Sequence, residues 1–524
     1  MPSRREFLRT SLLLGGATLL PRWSWADTSA FGSSPLPSPT LRPFTLELPI
    51  PPAVRPVAPF ATARLVSPGT VFHDIRMREG QHRFHPDLPP TNVWGYEDVS
   101  APGAPLTPGP TFVSRAGAPR LVRFRNELPA DHRGFGVPNT VIHRHGGVQS
   151  SEDDGFPLDF LRPGESRDYF YPDFEREGPR ETQGTLWYHD HLVDFTAQNV
   201  YRGLAGFYLR FSDDDTGDEN VPSPHGLRLP SAPYDIGLAI QDRRFNGDGS
   251  LFYDPNDHDG FLGDRFLVNG AVQPFLRVRR RKYRFRILNG SNARFYELFL
   301  SSGQPFTQIG SEGGFFEFPL TRRSIMIAPA ERVEIIVDFS AYPQGAQVVL
   351  ENRLQQDSGR GPDGPAGSPT PLMRFDVDGT APDASLMPTR LRDPIPADPF
   401  PPRIHREFEF ARSKGGWDVN GELWDPNRIL AQPHLDEPEI WTFKNGGGGW
   451  WHPIHVHLAL FQVLHRNGAS PPPWEQGMKD TVVLGPGDEV DVRIQFSDFR
   501  GRYVLHCHNI EHEDMAMMAR FDTV

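Results

Sequence analysis

Apolar and polar residues alternate with period two in segment after segment of this chain. The pattern is clearest in RLVRFRNEL (120–128), GFYLRF (206–211), KYRFRILNG (282–290), VEIIVDF (333–339) and VDVRIQF (490–496), each bounded by turn residues. Successive side chains of a strand point to opposite faces, so this spacing predicts strands with one face buried. No stretch carries a long 3.6-residue apolar period. Punctuation is dense, with 50 glycines and 55 prolines among 524 residues, which favours β-sandwiches over long helices. Composition turns polar or proline-rich at 212–226 and 378–402, so 213–232 and 379–402 read as linkers. Three blocks remain, 61–212, 233–378 and 403–524, each the size of one sandwich, after a proline-rich extended segment at 27–60.

The first 26 residues stand apart from this pattern. SRREFLRT (3–10) places Arg4 and Arg5 ahead of an apolar SLLLGGATLL, and WSWA ends the segment at Ala26. A basic start, a short apolar run and a small-residue cleavage site make an export signal, and the arginine pair resembles the twin-arginine kind. The apolar run is about half of the ~20 residues a membrane span needs. Periplasmic or other extracytoplasmic residence is therefore expected, with no membrane span. Net charge is −12, although residues 1–26 are basic, so the rest of the chain is more acidic still. That balance argues against nucleic acid and anionic lipid as partners. The run DDDTGDEN (213–220) reads as solvated loop.

Candidate chemistry sits in the histidines. Ten of 19 fall in four clusters: HRH (His143, His145), HDH (His189, His191), HPIHVH (His452, His455, His457) and HCHNIEH (His506, His508, His512). Two clusters lie in the first block and two in the third; the middle block has none. Each holds one His-x-His, and on a strand such a pair faces one way. Imidazole suits Cu, Zn, Fe or Ni, so the pairs alone name no metal. Cys507, the one cysteine, excludes an intrachain disulfide and narrows the choice. Lying between His506 and His508 in extended chain, its sulfur must face away from their imidazoles. It then needs other ligands: His512 and Met517, spaced Cys-x4-His-x4-Met, and His452, left over once the pairs are counted. Two His, one Cys and a weak Met form a blue-copper electron-transfer set. The other eight histidines divide as three, three and two, enough for a copper pair and a third ion close by. Cys507 is bonded between the two sets and reads as an electron wire.

In order and over nearly the whole chain, the four clusters resemble those of multicopper oxidases. The resemblance implies three consecutive cupredoxin-like Greek-key β-sandwiches, an all-β fold. It also implies four copper ions. His143 and His455 would hold the type 2 copper. His145, His189, His191, His457, His506 and His508 would hold the type 3 pair, and His452, Cys507, His512 and Met517 the type 1 copper. The stretches HRHGGVQSSEDDGFP, LWYHDHLVDFTAQNVYRGLAGFY, KDTV and HCHNIEHEDMAMM are similar to bacterial laccases of the spore-coat type and their bilirubin-oxidase relatives. In that group a carboxylate nine places after the second histidine assists proton delivery; here it is Asp154. Glu513 matches a second. Reducing O2 to two waters takes four protons into a buried site, so such groups are needed.

Other metals and roles fit less well. Catalytic zinc would account for the His-x-His pairs but not for the Cys-x4-His-x4-Met run. Met515 and Met518 are assigned to packing, and the unclustered histidines, such as His73 and His434, to ordinary surroundings. FNGDGSLFYDPNDHDG (245–260) lacks EF-hand spacing and reads as a surface loop, which the resemblance places near the substrate entrance. Nine methionines without a Met-rich insertion give no support to a dedicated Cu(I) oxidase. The expected activity is oxidation of a phenolic or similar donor near His452 or His512, coupled to reduction of O2 by a monomeric enzyme. Cu(I) or Mn(II) oxidation, bilirubin oxidation and a non-catalytic envelope scaffold or copper carrier are the alternatives. The middle block is expected to be a spacer that shapes the substrate cleft.

Overall fold

Strands form where the alternation predicts them: Arg120–Asn126, Ala205–Phe211, Lys282–Asn289, Arg332–Asp338 and Glu489–Gln495 cover the five segments. The computed structural model describes residues 36–174, 184–222, 226–395, 401–413 and 415–524; the export segment expected at 1–26 lies outside them. Strands between residues 71 and 211 build two four-stranded sheets. Those between 235 and 380 build an eight- and a five-stranded sheet, and those between 404 and 523 a six- and a five-stranded one. One feature of the connectivity repeats. Val71–His82 runs parallel to Arg120–Asn126, Asp235–Phe245 to Lys282–Asn289, and Ile404–Ser413 to Pro438–Asn445. A parallel pair among antiparallel neighbours requires a crossover, and each block places it in the same position. The protein is three cupredoxin-like sandwiches in a row. No helix among the described residues is long and apolar enough to cross a membrane.

Each sandwich has its own apolar core, around Phe124 in the first, Phe285 in the second and Phe443 in the third. Residues 38–60 of the proline-rich lead-in run across two of them. Leu48 enters the middle core while its N–H donates to the Phe275 carbonyl at 2.7 Å, and the Thr111 N–H of the first sandwich donates to Pro52 O at 2.8 Å. Burying one leucine in this way contributes roughly 1.5–3 kcal/mol.

Two readings of the sequence change here. Strand Lys282–Asn289 is buried on both faces, because Arg284 and Arg286 alternate with its apolar residues yet point into a closed ion network. Glu334, directly across from Arg286 on Arg332–Asp338, lies 3.0 Å from it and also bonds Arg284. Asp235 lies 2.8 Å from Arg286, and Asp215 lies 2.8 Å from Arg284. The acidic run 213–220 is therefore not simply solvated. Asp213 is exposed, but Asp215 is buried against Arg284, and Glu219 is buried 2.6 Å from Arg281. Two of its acids anchor the linker to the middle sandwich.

This network makes a stability prediction. Burial alone would raise the Glu334 carboxyl, but the guanidiniums of Arg284 and Arg286 outweigh it and bring it from 4.5 down to about 2. A carboxyl depressed on folding contributes stability that is present above pH 4.5 and lost as pH falls toward 2. Glu334→Gln should cost about 3 kcal/mol at neutral pH, near the low end for a broken buried pair because Asp215 and Asp235 remain. Urea unfolding across pH 2–7 checks this: the variant should lose part of the acid-side slope. Equal stability for the two proteins would contradict it.

Candidate metal centre

Strand Ile142–His145 pairs antiparallel with Gly184–Asp190, setting His143 directly opposite His189. Alternation keeps His143 and His145 on one face and turns Arg144 to the other, where it meets Gln149 at 2.9 Å and Asp173 at 2.6 Å. In the third sandwich, His452–Val456 pairs with Gly501–Cys507 so that His455 faces His506 and Ile454 faces Cys507. His452 shares the parity of Ile454, so it joins the side of Cys507, not that of His455. The chain then makes a helical turn, Ile510–Asp514, with the His512 N–H donating to Asn509 O at 2.9 Å, and this returns His512 over the sulfur.

The result is two sets of ligand-type atoms on opposite faces of one strand. On one face, eight buried imidazoles from the first and third sandwiches form three triplets: His143, His145 and His455; His145, His189 and His508; His191, His457 and His506. In the last, the three Nε2 atoms stand 3.2, 3.2 and 3.3 Å apart. On the other face, Cys507 Sγ lies 3.5 Å from His452 Nδ1 and 3.6 Å from His512 Nδ1, and the two nitrogens are 3.2 Å apart. Met517 is buried in the same core as Cys507, and the Cys507 N–H donates to its carbonyl at 3.1 Å. Met518 falls in a separate cluster with Phe156 and Trp424, and Met515 is only half buried. Eleven of the twelve predicted ligand residues are thus brought to the two sets, and Met517 is buried in the same core as Cys507.

The hydrogen bonds show whether cations fit. His143 Nδ1 donates to Asp154 O at 2.6 Å, His189 Nδ1 to Asp190 O at 2.8 Å, and His455 Nδ1 to Asp480 O at 2.8 Å. His145 Nε2 is bonded to Asp480 Oδ1 at 3.1 Å. Each neutral ring carries one proton, so the opposite nitrogen is a bare lone pair. Those nitrogens, His143 Nε2, His189 Nε2, His455 Nε2 and His145 Nδ1, are buried with no hydrogen-bond partner. Burial, with neighbouring imidazoles adding to it, holds these rings well below the usual histidine range; His455 reaches about 3, where burial leads and outweighs the opposing Asp480 charge. Converging neutral lone pairs in a dry site repel unless a cation sits among them, and outward N–H bonds of this kind fix metal-bound histidines. At Cys507, burial pushes the thiol well above its ordinary value, so a thiolate there also requires a cation. The donor sets fit.

Two of the carboxylates that touch the histidine cluster, Asp154 and Glu513, sit in opposite electrostatic settings. Asp154 Oδ2 lies 2.6 Å from His457 Nδ1, and Oδ1 accepts from Gln149 Nε2 at 2.8 Å; burial, the largest influence, pushes this carboxyl to about 8. Glu513 lies 3.0 Å from His506 Nδ1 and 3.3 Å from His191 Nδ1. Burial would raise it too, but those two imidazoles hold it low.

Several participants left no mark in the spacing. Asp480 bonds a histidine from each of two sandwiches, and Gln149 orients Asp154. Asp259 O accepts from His512 Nε2 at 3.0 Å, while Trp417 packs on the His512 ring at 3.8 Å. The loop 245–260 is therefore more than a surface loop: Tyr253 within it is buried and bonded to Glu511 at 3.0 Å.

Family models described as multicopper oxidase match residues 104–212, 231–359 and 398–524. A laccase from Bacillus subtilis (strain 168) is 34% identical over 553 residues, spanning 92% of this chain and 99% of its own. The chain belongs to the multicopper oxidase family. A bilirubin oxidase from Albifimbria verrucaria is 35% identical over 505 residues, covering 93% of this multicopper oxidase and 82% of the relative. Among solved structures, a multicopper oxidase from Aquifex aeolicus superposes with a TM-score of 0.76 at 28% identity, covering 91% of this chain and 99% of that one. The oxidase is a copper-dependent oxidoreductase that takes O2 and a reducing substrate.

Proposed function

We propose that this enzyme is a laccase-like oxidase with one copper at His452, Cys507, His512 and Met517 and three at the eight clustered histidines. His143 and His455 are assigned to the type 2 ion and the other six histidines to the type 3 pair. The observation that carries the reading is the position of Cys507, whose sulfur faces one set while the imidazoles of its two bonded neighbours face the other. Copper in these positions supplies one-electron oxidation of a donor and four-electron reduction of O2 to water. The protein keeps the two sets a fixed covalent distance apart, excludes water from both and holds the outer imidazole nitrogens. Asp154 and Glu513 are assigned to proton delivery, on their contacts with His457 and with His506 and His191.

The donor is proposed to be phenolic or similar. His512 is buried beneath the 245–260 loop and Trp417, so the donor would give its electron at that covered edge. Oxidation of Cu(I), Mn(II) or bilirubin remains the second reading, and the bilirubin-oxidase relative favours including the last. A scaffold or carrier role is disfavoured by the complete donor sets. Export through the twin-arginine signal, an extracytoplasmic location and a monomeric state complete the proposal.

Copper analysis with visible and EPR spectra tests it. Four ions per chain, an intense blue band and O2 uptake with a phenol are expected, and kcat/KM for a phenol should exceed that for bilirubin and Cu(I). Fully copper-loaded protein that consumes no O2 with any donor would overturn the enzymatic reading.

A further inference from the structure

The middle sandwich contributes no candidate ligand, yet one of its side chains reaches the histidine cluster. Arg332, fully buried at the start of Arg332–Asp338, grips Asp480 of the third sandwich with both terminal nitrogens, at 2.8 and 2.5 Å. Its Nε donates to the carbonyl of Thr185 in the first sandwich at 2.8 Å. Asp480 in turn accepts from His145 Nε2 through its carboxylate at 3.1 Å and from His455 Nδ1 through its carbonyl at 2.8 Å. One guanidinium therefore ties three sandwiches at the point where ligands of two of them meet. Gly146, next to His145, makes room for it: at φ +84°, a Cβ there would lie 2.6 Å from Arg332 Nη2 and 2.7 Å from Asp480 Oδ2. A parallel contact lies beside it, where Lys479 bonds Glu312 at 2.9 Å and Glu331 at 3.2 Å. Adjacent residues of two sandwiches thus form two ion pairs of opposite sense, 331 with 479 partly buried and 332 with 480 fully buried.

We propose that Arg332 is a positioning residue for the copper cluster: by gripping Asp480 it fixes the carboxylate that orients His145 and holds in place the residue whose carbonyl orients His455. The inference rests on the assignment of those two histidines to copper. A planar guanidinium holds a carboxylate at two points, whereas an ammonium holds it at one and leaves it free to swing. Arg332→Lys keeps the charge and removes that constraint. Loss of such outer partners typically lowers metal affinity ~10–100-fold.

Chelator competition on the holoenzyme reads this directly. Arg332→Lys should release cluster copper at ~10–100-fold lower chelator concentration than wild type, with an altered type 2 EPR signal and an unchanged blue band. Glu331→Gln, which weakens only the neighbouring pair, should lower the unfolding temperature and leave the competition curve in place. A folded Arg332→Lys protein with the wild-type curve and EPR signal overturns the proposal. If that variant fails to fold, Asp480→Asn decides on the same two readouts, since the amide keeps the shape but loses the bidentate grip. Wild-type protein with no copper at the cluster would instead sink the assignment of His145 and His455.

Discussion

Cys507→Ser should yield a colourless protein that keeps most of its cluster copper and turns over at background rate. The sulfur is the one soft donor in its set besides the weak Met517, with the His452 and His512 nitrogens 3.5 and 3.6 Å away. A serine hydroxyl is a hard, neutral oxygen that suits copper poorly at this position. The backbone of Gly501–Cys507 also links the two sets, so losing the ion that the Cys507 set would hold should cut the supply of electrons to the other. Stability should fall by only about 1–3 kcal/mol, the usual cost of a buried hydroxyl with poor partners. Visible absorption, copper stoichiometry and O2 uptake on one preparation test all three parts. Retained blue colour, or loss of all copper together, would show that the sites are not divided by this residue.

Asp154→Asn is expected to slow steady-state O2 consumption by ~10²–10⁴-fold, the range for losing a positioned proton donor. Donor oxidation in a single anaerobic turnover should continue at its original rate. The substitution is conservative in shape. An amide oxygen still accepts from His457 Nδ1, so ring orientation survives, and the bond lost is the one from Gln149 Nε2. What disappears is an exchangeable acidic proton against the cluster, 2.6 Å from a candidate ligand and sealed from solvent. Stopped-flow bleaching of the blue band separates the two halves of the cycle. Equal slowing of both would mean that Asp154 serves as architecture, and unchanged O2 consumption would remove its proton role.

Much of the site is legible in the chain because it depends on a local rule. Period-two pleating fixes which neighbours share a face, and that separates Cys507 from His506 and His508 without any knowledge of the partner strands. His452 is legible for a related reason, since it is the histidine left over by the pairs. Asp480 and Arg332 are not legible. Their meaning comes from a meeting of three sandwiches whose strands lie far apart in the chain, and an Asp-Thr or an Arg-Val dipeptide looks the same on any strand. Alternation assigns Arg284 and Arg286 to an outward face because it reports polarity alone, and a buried guanidinium with carboxylate partners looks identical to a solvated one. Asp215 and Glu219 mislead for the same reason. The cover over His512 is hidden as well, because Asp259 acts through its backbone carbonyl, which every residue has.

The pairing of His455 with His506 and of Ile454 with Cys507 places both metal sets under a single alignment. Sliding one of these two strands by a single residue would swap inside for outside along its length. Sulfur would then point among imidazoles, and imidazoles into hydrocarbon. Insertions or deletions there cannot spoil one centre and spare the other, whereas point substitutions can. Libraries meant to retune the donor side of this enzyme should therefore vary residue identity within these strands and keep changes of length for the surrounding loops.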